Sequence, residues 1–378
     1  MSIEVESLLL PSGRIVHNAK LELESKGSYW FKTAVHPGFS DAHAHPHVVD
    51  VGSLGSHTWN NVVEWIRGRE LKIDEKALRK DVELCTQLSK LTMLKAILNG
   101  TTMIALVGNL KANYRACREL NVRPRVIVMP TIFNSEGWYT SGHILPQVIN
   151  ILKDLRDDSV KIGVFCHSLY FTEKEDILLS IEISRSLNLP LALHLNEGTR
   201  DLNDLRKLIR GNDCTIIGVH CIEDEDYRSL GIKVVSCPIS NLFLYGRTQE
   251  NLDLIDAFGT DWPNIVGSLR EHVPKIISIF KLWNRVEVFK RLTSGGYKVY
   301  AHSYEGDYVF FDEDIERVLS EPLEPVYVTV GGKFVVMEHT TMGYTLNEIN
   351  KMIYSVKRHI IELYPNEQYR YKKCELTT

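Results

Sequence analysis

The sequence predicts an α/β fold: a (β/α)8 TIM barrel with a small β-sandwich domain formed by both chain ends. Three observations predict it. Eight short, apolar, β-rich runs recur along the chain, helical patterns separate many of them, and residues suited to chemistry collect at the C-terminal ends of the runs.

The first run, HPGFSDAH, ends near His43. The others are Thr101 to Gly108, Arg125 to Phe133, Lys161 to Ser168, Leu189 to Glu197, Cys214 to Cys221, Lys233 to Ser240 and Leu254 to Asp261. Most are continuously apolar, as expected of parallel strands buried on both faces. Lys76 to Leu98 and Glu173 to Leu187 repeat apolar residues at three- and four-residue steps, the mark of helices packed on a sheet. The barrel is expected over residues 37–297, about the length such barrels take.

Residues 1–36 and 298–338 are expected to form the small β domain. SLLLPSGRIV, AKLELES, EGDYVFFD and EPVYVTVGGKFVV all look like strands, the last with a Gly-Gly turn. Residues 339–378 are expected to form a helical extension and a polar tail. There Ile349, Met352, Ile353, Val356, Ile360 and Leu363 fall on one stripe, which predicts a packing or dimer helix. No internal repeat and no low-complexity segment is found.

Composition sets bounds. The chain has 378 residues, 44% hydrophobic and 24% charged, with a formal net charge of −4. That is ordinary globular composition without the field that draws nucleic acid or an anionic membrane. No apolar leader and no run long enough to span a bilayer is found, so neither a secreted precursor nor a membrane span is expected. Seven scattered cysteines, odd in number and without a CxxC pair, predict reduced thiols and a cytoplasmic location.

In a barrel of this kind, chemistry sits where the strands end. The first strand brings His43 and His45, the fourth His167, and the fifth His194 with Glu197 three residues on. The sixth brings His220 and the eighth Asp261. One such residue is more often structural than not, but agreement at five strand ends marks a site. In HAH, the period-two alternation turns His43 and His45 to one side, so both reach one ion. His194 and Asp261 complete a His3Asp set with an open position, the sign of a catalytic rather than a structural metal. Imidazole suits zinc and ferrous iron. Glu197 is then placed to take a proton from water and deliver it to a leaving nitrogen. His220 is placed to hydrogen-bond the developing charge.

The remaining histidines read more plainly. His36 precedes the strand and is expected to be structural. His47 is expected outside the metal set, because a third ligand from one strand is strained. His57, His143, His272 and His302 read as surface residues, with His143 near enough to line the mouth. Trp59, Trp138, Tyr139, Phe243, Tyr245 and Trp262 are aromatic candidates for the pocket, and Trp138 and Trp262 are the best placed to stack on a planar ring. Asn241 and Arg247 are candidates to hydrogen-bond such a ring.

With these residues in place, the chain resembles the amidohydrolase superfamily, in its cytosine deaminase, guanine deaminase and chlorohydrolase branch. The likeness runs over nearly the whole chain. It rests on PGFSDAHAH, ILNGTTMIA, CHSLYFTEKEDIL, LALHLNEGTRD, GVHCIEDED, VVSCPISNLFLYGR and FGTDWPN, seven motifs in the family's order. The resemblance implies one divalent metal, zinc or iron, on His43, His45, His194 and Asp261. It implies Glu197 as proton shuttle, His220 as catalytic histidine and His167 as a substrate contact. The branches with two metals need a modified lysine at the end of strand four. That position is Cys166-His167 here, and Lys161 lies roughly 16 Å below the rim.

Two departures touch the substrate mouth. The segment between Asn241 and Asp261 is clipped, so the seventh helix is expected to be missing or reduced. Ser236 stands where relatives often carry histidine.

The leading expectation is a metal-dependent hydrolase that replaces an exocyclic amine on a heterocycle of purine, pyrimidine, nucleoside or triazine type. The alternatives are hydrolysis of a cyclic amide or N-acyl bond, or dechlorination, at the same centre. A third is a binding protein on a retired barrel. The expected partner is a small-molecule substrate, not nucleic acid or a membrane. A homodimer is the assembly that analogy suggests.

Overall fold

The computed structural model describes residues 2–23, 28–52, 58–135, 138–209 and 214–367. His57, Cys374 and most of the polar tail lie outside them.

Eight parallel strands form the barrel, as the sequence predicts. The N-terminal segment first supplies β1 (Ser2–Leu9), β2 (Ile15–Glu22) and β3 (Ser28–Val35). The barrel then runs through β4 (Phe39–Ala44), β5 (Thr101–Gly108), β6 (Arg125–Ile132), β7 (Val160–Ile162) and β8 (Val164–Ser168). It continues with β9 (Leu191–Leu195), β10 (Ile216–His220), β11 (Lys233–Ser236) and β12 (Ala257–Phe258). The strand order is β4-β5-β6-β8-β9-β10-β11-β12, with β7 beside β6. β7 and β8 are one expected strand broken at Gly163, where a Cβ would sit 2.2 Å from Met129 Sδ.

Two expected boundaries shift here. Pro238 to Ser240 leave the seventh strand and open the helix Pro238–Tyr245, because proline at the first helical turn lacks only an N–H that had no partner. That helix and a 3₁₀ turn at Leu252–Leu254 make up the clipped segment. Lys76 to Leu98 divides at Asp81, whose carboxylate caps the helix Val82–Leu98 through Leu84 N.

The barrel's interior is packed, not hollow. Met103, Ile127, Met129, Phe165, Ile217 and Val235 fill it. Tyr297 and Tyr300, from the end of the helix Arg285–Val299, plug its base. Tyr300 Oη donates to Ala42 O at 2.8 Å, and Gly296 N donates to Ser40 Oγ at 3.0 Å. The base is therefore shut, and the open end is the one where the strands terminate.

The chain ends meet in one six-stranded sheet, completed by β13 (Tyr308–Phe311), β14 (Tyr327–Val330) and β15 (Lys333–Val336). Gly331 and Gly332 turn β14 into β15 with φ of +60° and +79°, which an asymmetric side chain resists. A buried ion pair ties this sheet to the barrel. Arg125 Nε donates to Asp307 Oδ2 at 2.7 Å, Nη2 to Oδ1 at 3.0 Å, and Tyr297 Oη also donates to Oδ2.

The C-terminal helix Leu346–Leu363 starts in a capping box, Thr345 with Glu348. It packs Ile349, Ile353, Val356 and Ile360 into the main core, while Leu363 faces outward. Among the described residues no helix is long and apolar enough to cross a membrane.

Asp307→Ala should lower unfolding stability by about 3–5 kcal/mol, because it strands a buried guanidinium. The double variant with Arg125→Met should lose less. Urea midpoints test both; equal midpoints for wild type and Asp307→Ala would refute this role for the pair.

Candidate active site

The closure of the barrel builds the site. Asp261 N donates to His43 O at 2.8 Å and His45 N donates to Asp261 O at 2.6 Å, so the last strand's end is stitched into the first's. Gly259 passes so close that a Cβ there would lie 2.8 Å from His43 Cβ and 2.9 Å from its N and O. Asp41 secures the join: Thr260 N and Oγ1 donate to its carboxylate at 2.9 and 2.6 Å. Asp261 and His220 both hold left-handed backbone, with φ of +65° and +72°. Such strain persists only where the surroundings impose it, and it concentrates at functional positions.

His43, His45, His194, His220, Glu197 and Asp261 all meet at this rim, and all are buried. Their donor atoms form two overlapping groups within 4.8 Å, His43–His45–Asp261 and His43–His194–His220. Asp261 Oδ1 lies 3.6 Å from Nε2 of both His43 and His45. His194 Nε2 lies 3.3 Å from His43 Nε2. Glu197 Oε2 lies 3.6 Å from His194 Nδ1, and its Oε1 lies 3.7 Å from His220 Nε2. The four expected ligands are thus neighbours, and His220 stands as close to His194 as they do.

Burial dictates the charge states. It drives His43 and His194 well below the usual imidazole range and His45 down to about 3. These rings are neutral at physiological pH and offer lone pairs. Burial raises Asp261 and lifts Glu197 to about 7, even though His220 and Tyr245 oppose the lift. His43 Nδ1, His194 Nδ1 and Glu197 Oε2 are buried without hydrogen-bond partners among the described residues. A nitrogen-rich donor set of neutral imidazoles and one carboxylate, with orphaned polar atoms beside it, fits a divalent zinc- or iron-like cation.

Neighbours orient the cluster. Asn241 Oδ1 accepts from His220 Nδ1 at 2.7 Å, which leaves the His220 Nε2 lone pair facing the site. Asn241 Nδ2 in turn donates to Thr248 Oγ1. Asn241 is therefore spent behind His220 and does not line the cavity, a correction to its expected place against substrate. Tyr245, expected only as an aromatic wall, donates its Oη proton to Glu197 Oε1 at 2.6 Å.

In front of the cluster is a cavity of about 880 Å³, counting its open mouth. Trp262, Trp138 and His167 line it, as do Tyr139, Trp65 and His47. Trp262 packs against Trp65 with ring centres 5.4 Å apart. His47 is held off the metal set by Ser89 Oγ at 2.8 Å and Cys85 O at 3.1 Å. His36 is a base residue, stacked on Tyr308 with its Nδ1 on Asp307 O. Arg247 is turned to Glu223 at 2.7 Å.

Sequence reasoning missed Arg69, Glu75 and Arg79, which also line the cavity. Glu75 and Arg79 sit at a four-residue spacing that reads as a common helix surface pair, so nothing local marks them. Nor did it find the role of Asp41, although that residue stands inside the motif.

Metal-loaded protein should unfold at a higher temperature than chelator-treated protein, by about 2.7 kcal/mol at a hundredfold excess over Kd. His45→Ala should remove most of the difference. Gly259→Ala should cost about 1–3 kcal/mol and lower the metal content found by elemental analysis, since its methyl must displace His43.

No family model matches the sequence. A 5-methylthioadenosine/S-adenosylhomocysteine deaminase of Acetivibrio thermocellus is 22% identical over 249 residues, 60% of this chain and 56% of that protein. The chain spans about half the length of the curated relatives it matches. An adenosine deaminase from Xanthomonas campestris, solved with bound zinc, superposes with TM-score 0.76 at 15% identity, over 95% of this chain and 98% of that one. Atrazine chlorohydrolase from Arthrobacter aurescens TC1 complexed with zinc gives TM-score 0.73 at 11% identity, over 94% and 100%. The fold agrees with the one that the motifs imply: the adenosine deaminase and the chlorohydrolase share it over nearly the whole of this chain.

Proposed function

We propose that this chain is a metal-dependent hydrolase that deaminates an aminated heterocycle, exchanging its amino group for a water oxygen and releasing ammonia. The observation that carries the reading is the buried cluster of neutral imidazoles, Asp261 and an elevated Glu197 at the open rim, facing an aromatic-walled cavity. His43, His45, His194 and Asp261 would hold the ion, with His220 beside them. When bound, such an ion supplies Lewis-acid activation of water at neutral pH. Zinc is favoured over iron because the adenosine deaminase and the chlorohydrolase above were solved with zinc.

The remaining work falls to this chain's own residues. Burial holds Glu197 near neutrality, which suits a group that must take a proton and give it up again. Tyr245 occupies Oε1, so Oε2 is the atom left to carry that proton from water to the leaving nitrogen. His220, fixed by Asn241, presents Nε2 to the same space and can share charge that develops on the ring. Trp262 and Trp138 offer flat apolar walls, and His167 stands with its ring centre 4.8 Å from that of His194. The six free cysteines of the described residues are in keeping with a reducing cytoplasm.

Ammonia release by metal-loaded protein, measured over aminopurines, aminopyrimidines, their nucleosides and aminotriazines, tests this reading. Glu197→Gln should lower kcat by about 10²–10⁴ on the substrate found. Silence across the panel, with one ion bound per chain, would sink deamination and shift the chemistry to cyclic amides, N-acyl compounds or chlorinated rings.

A further inference from the structure

The wall of the cavity away from the histidines carries two arginines on one carboxylate oxygen. Arg69 Nη2 and Arg79 Nη2 each donate to Glu75 Oε2 at 2.7 Å. All three side chains are more than four-fifths buried. Among the described residues these are the hydrogen bonds the two guanidiniums give, so most of their N–H groups are unspent. Each guanidinium lies over an indole, Arg69 4.7 Å above Trp65 and Arg79 3.5 Å above Trp138. Stacking fixes each plane and leaves its edges free to donate.

A structural account covers only part of this. The four-residue spacing explains why Arg79 meets Glu75, as in many helices. It does not explain a second arginine on the same oxygen. Counted over its own three side chains, which are largely buried, the trio carries one net positive charge, a costly arrangement unless an anion meets it. Both guanidiniums are close enough to His167 to disfavour its protonated form, which places them within electrostatic reach of the rim.

The trio also stands at a junction. Arg69, Glu75, Arg79, Trp138, Ile66 and His167 line both the inner cavity and an outer one of about 1160 Å³, counting open space. The outer cavity holds other charges, Lys76 among the bases and Asp74 and Glu367 among the acids. Asp74 is occupied in capping Lys76 N and Ala77 N. The trio therefore stands where the outer cavity meets the one in front of the histidines.

We propose that the substrate carries an anionic group, a carboxylate or a phosphate, on the part of the molecule away from the reacting ring, and that Arg69 and Arg79 bind it. This rests on the deaminase reading above for the placement of the ring. The shared chemistry is a planar or tetrahedral oxyanion taken by paired guanidinium edges.

The test is calorimetric binding to the metal-loaded full chain, read separately from turnover. The probes are adenosine, adenosine-5′-carboxylic acid and adenosine 5′-monophosphate. A ring-independent arm follows tryptophan fluorescence during titration with acetate and with inorganic phosphate. Wild type should bind one charged purine at least about tenfold tighter than adenosine, and which one decides between carboxylate and phosphate. The ratio should fall toward one in Arg69→Met and in Arg79→Met, keep part of its size in Arg79→Lys, and shrink with salt. Melting curves check that the variants fold; should the methionine forms fail, the lysine form and the salt series decide. If no purine binds, a saturable small-anion response lost in Arg79→Met and weakened in Arg79→Lys sustains the proposal. Equal affinity for charged and neutral purines, a preference that survives both methionine variants, or no response to any anion would overturn it. Anion preference without ammonia release would instead count against deamination and leave the arginine site standing.

Discussion

The join between the first and last barrel strands is the constraint on which the rest of the structure depends. Backbone bonds from Asp261 N to His43 O and from His45 N to Asp261 O close the ring at the level of the site. Closure there does two things at once. It removes the sheet edge that an open barrel would expose, and it sets the Asp261 carboxylate opposite two imidazoles from the other end of the sequence. Gly259 is glycine because the chains cross too closely for a Cβ. Asp41 is buried because its carboxylate is the bracket that holds Thr260 beside the join. The left-handed backbone at Asp261 is the local cost of aiming its side chain inward.

Burial then selects the chemistry. Four imidazoles and two carboxylates in one buried cluster cannot all be charged, since desolvation penalises each charged form. His43, His45 and His194 are pushed neutral and the two carboxylates are pushed up. The same penalty that would destabilise a metal-free cluster makes it a strong ligand set for a cation. Around it, Asn241 and Tyr245 use their polar groups to fix a tautomer and to occupy one oxygen, so direction is imposed on His220 and Glu197 from behind.

The substrate side is built differently, from chain segments far apart in sequence. The stretch that bears Arg69, Glu75 and Arg79 is tied to the C-terminal end. Asp74 N donates to Tyr364 O, Asn366 N to Lys72 O and Tyr364 Oη to Asp81 Oδ2. The C-terminal helix, which the sequence marks as a packing or dimer helix, therefore delivers the strap that holds this wall. Rigid strand ends carry the proposed chemistry, and tethered loops shape what reaches it.

The barrel and its polar rim follow from the pattern of residues along the chain. Short continuous apolar runs alternating with helical patterns read as parallel strands buried on both faces, and the residues that end such strands lie at one end of the ring. That is why His43, His45, His194, Glu197, His220 and Asp261 are legible in the sequence as residues of one rim. Strand lengths were less so: β12 has two residues where eight were expected, because its pairing is set by the neighbouring β11 and β4, not by its own composition. Tertiary structure alone decided which polar residues face the cavity and which stand behind it. Asn241 is spent on His220, Tyr245 on Glu197, and Arg69 and Arg79 meet across a loop on one glutamate. Periodicity records burial along a single element, whereas a hydrogen bond between two loops depends on the position of both, and that position exists only once the core has packed.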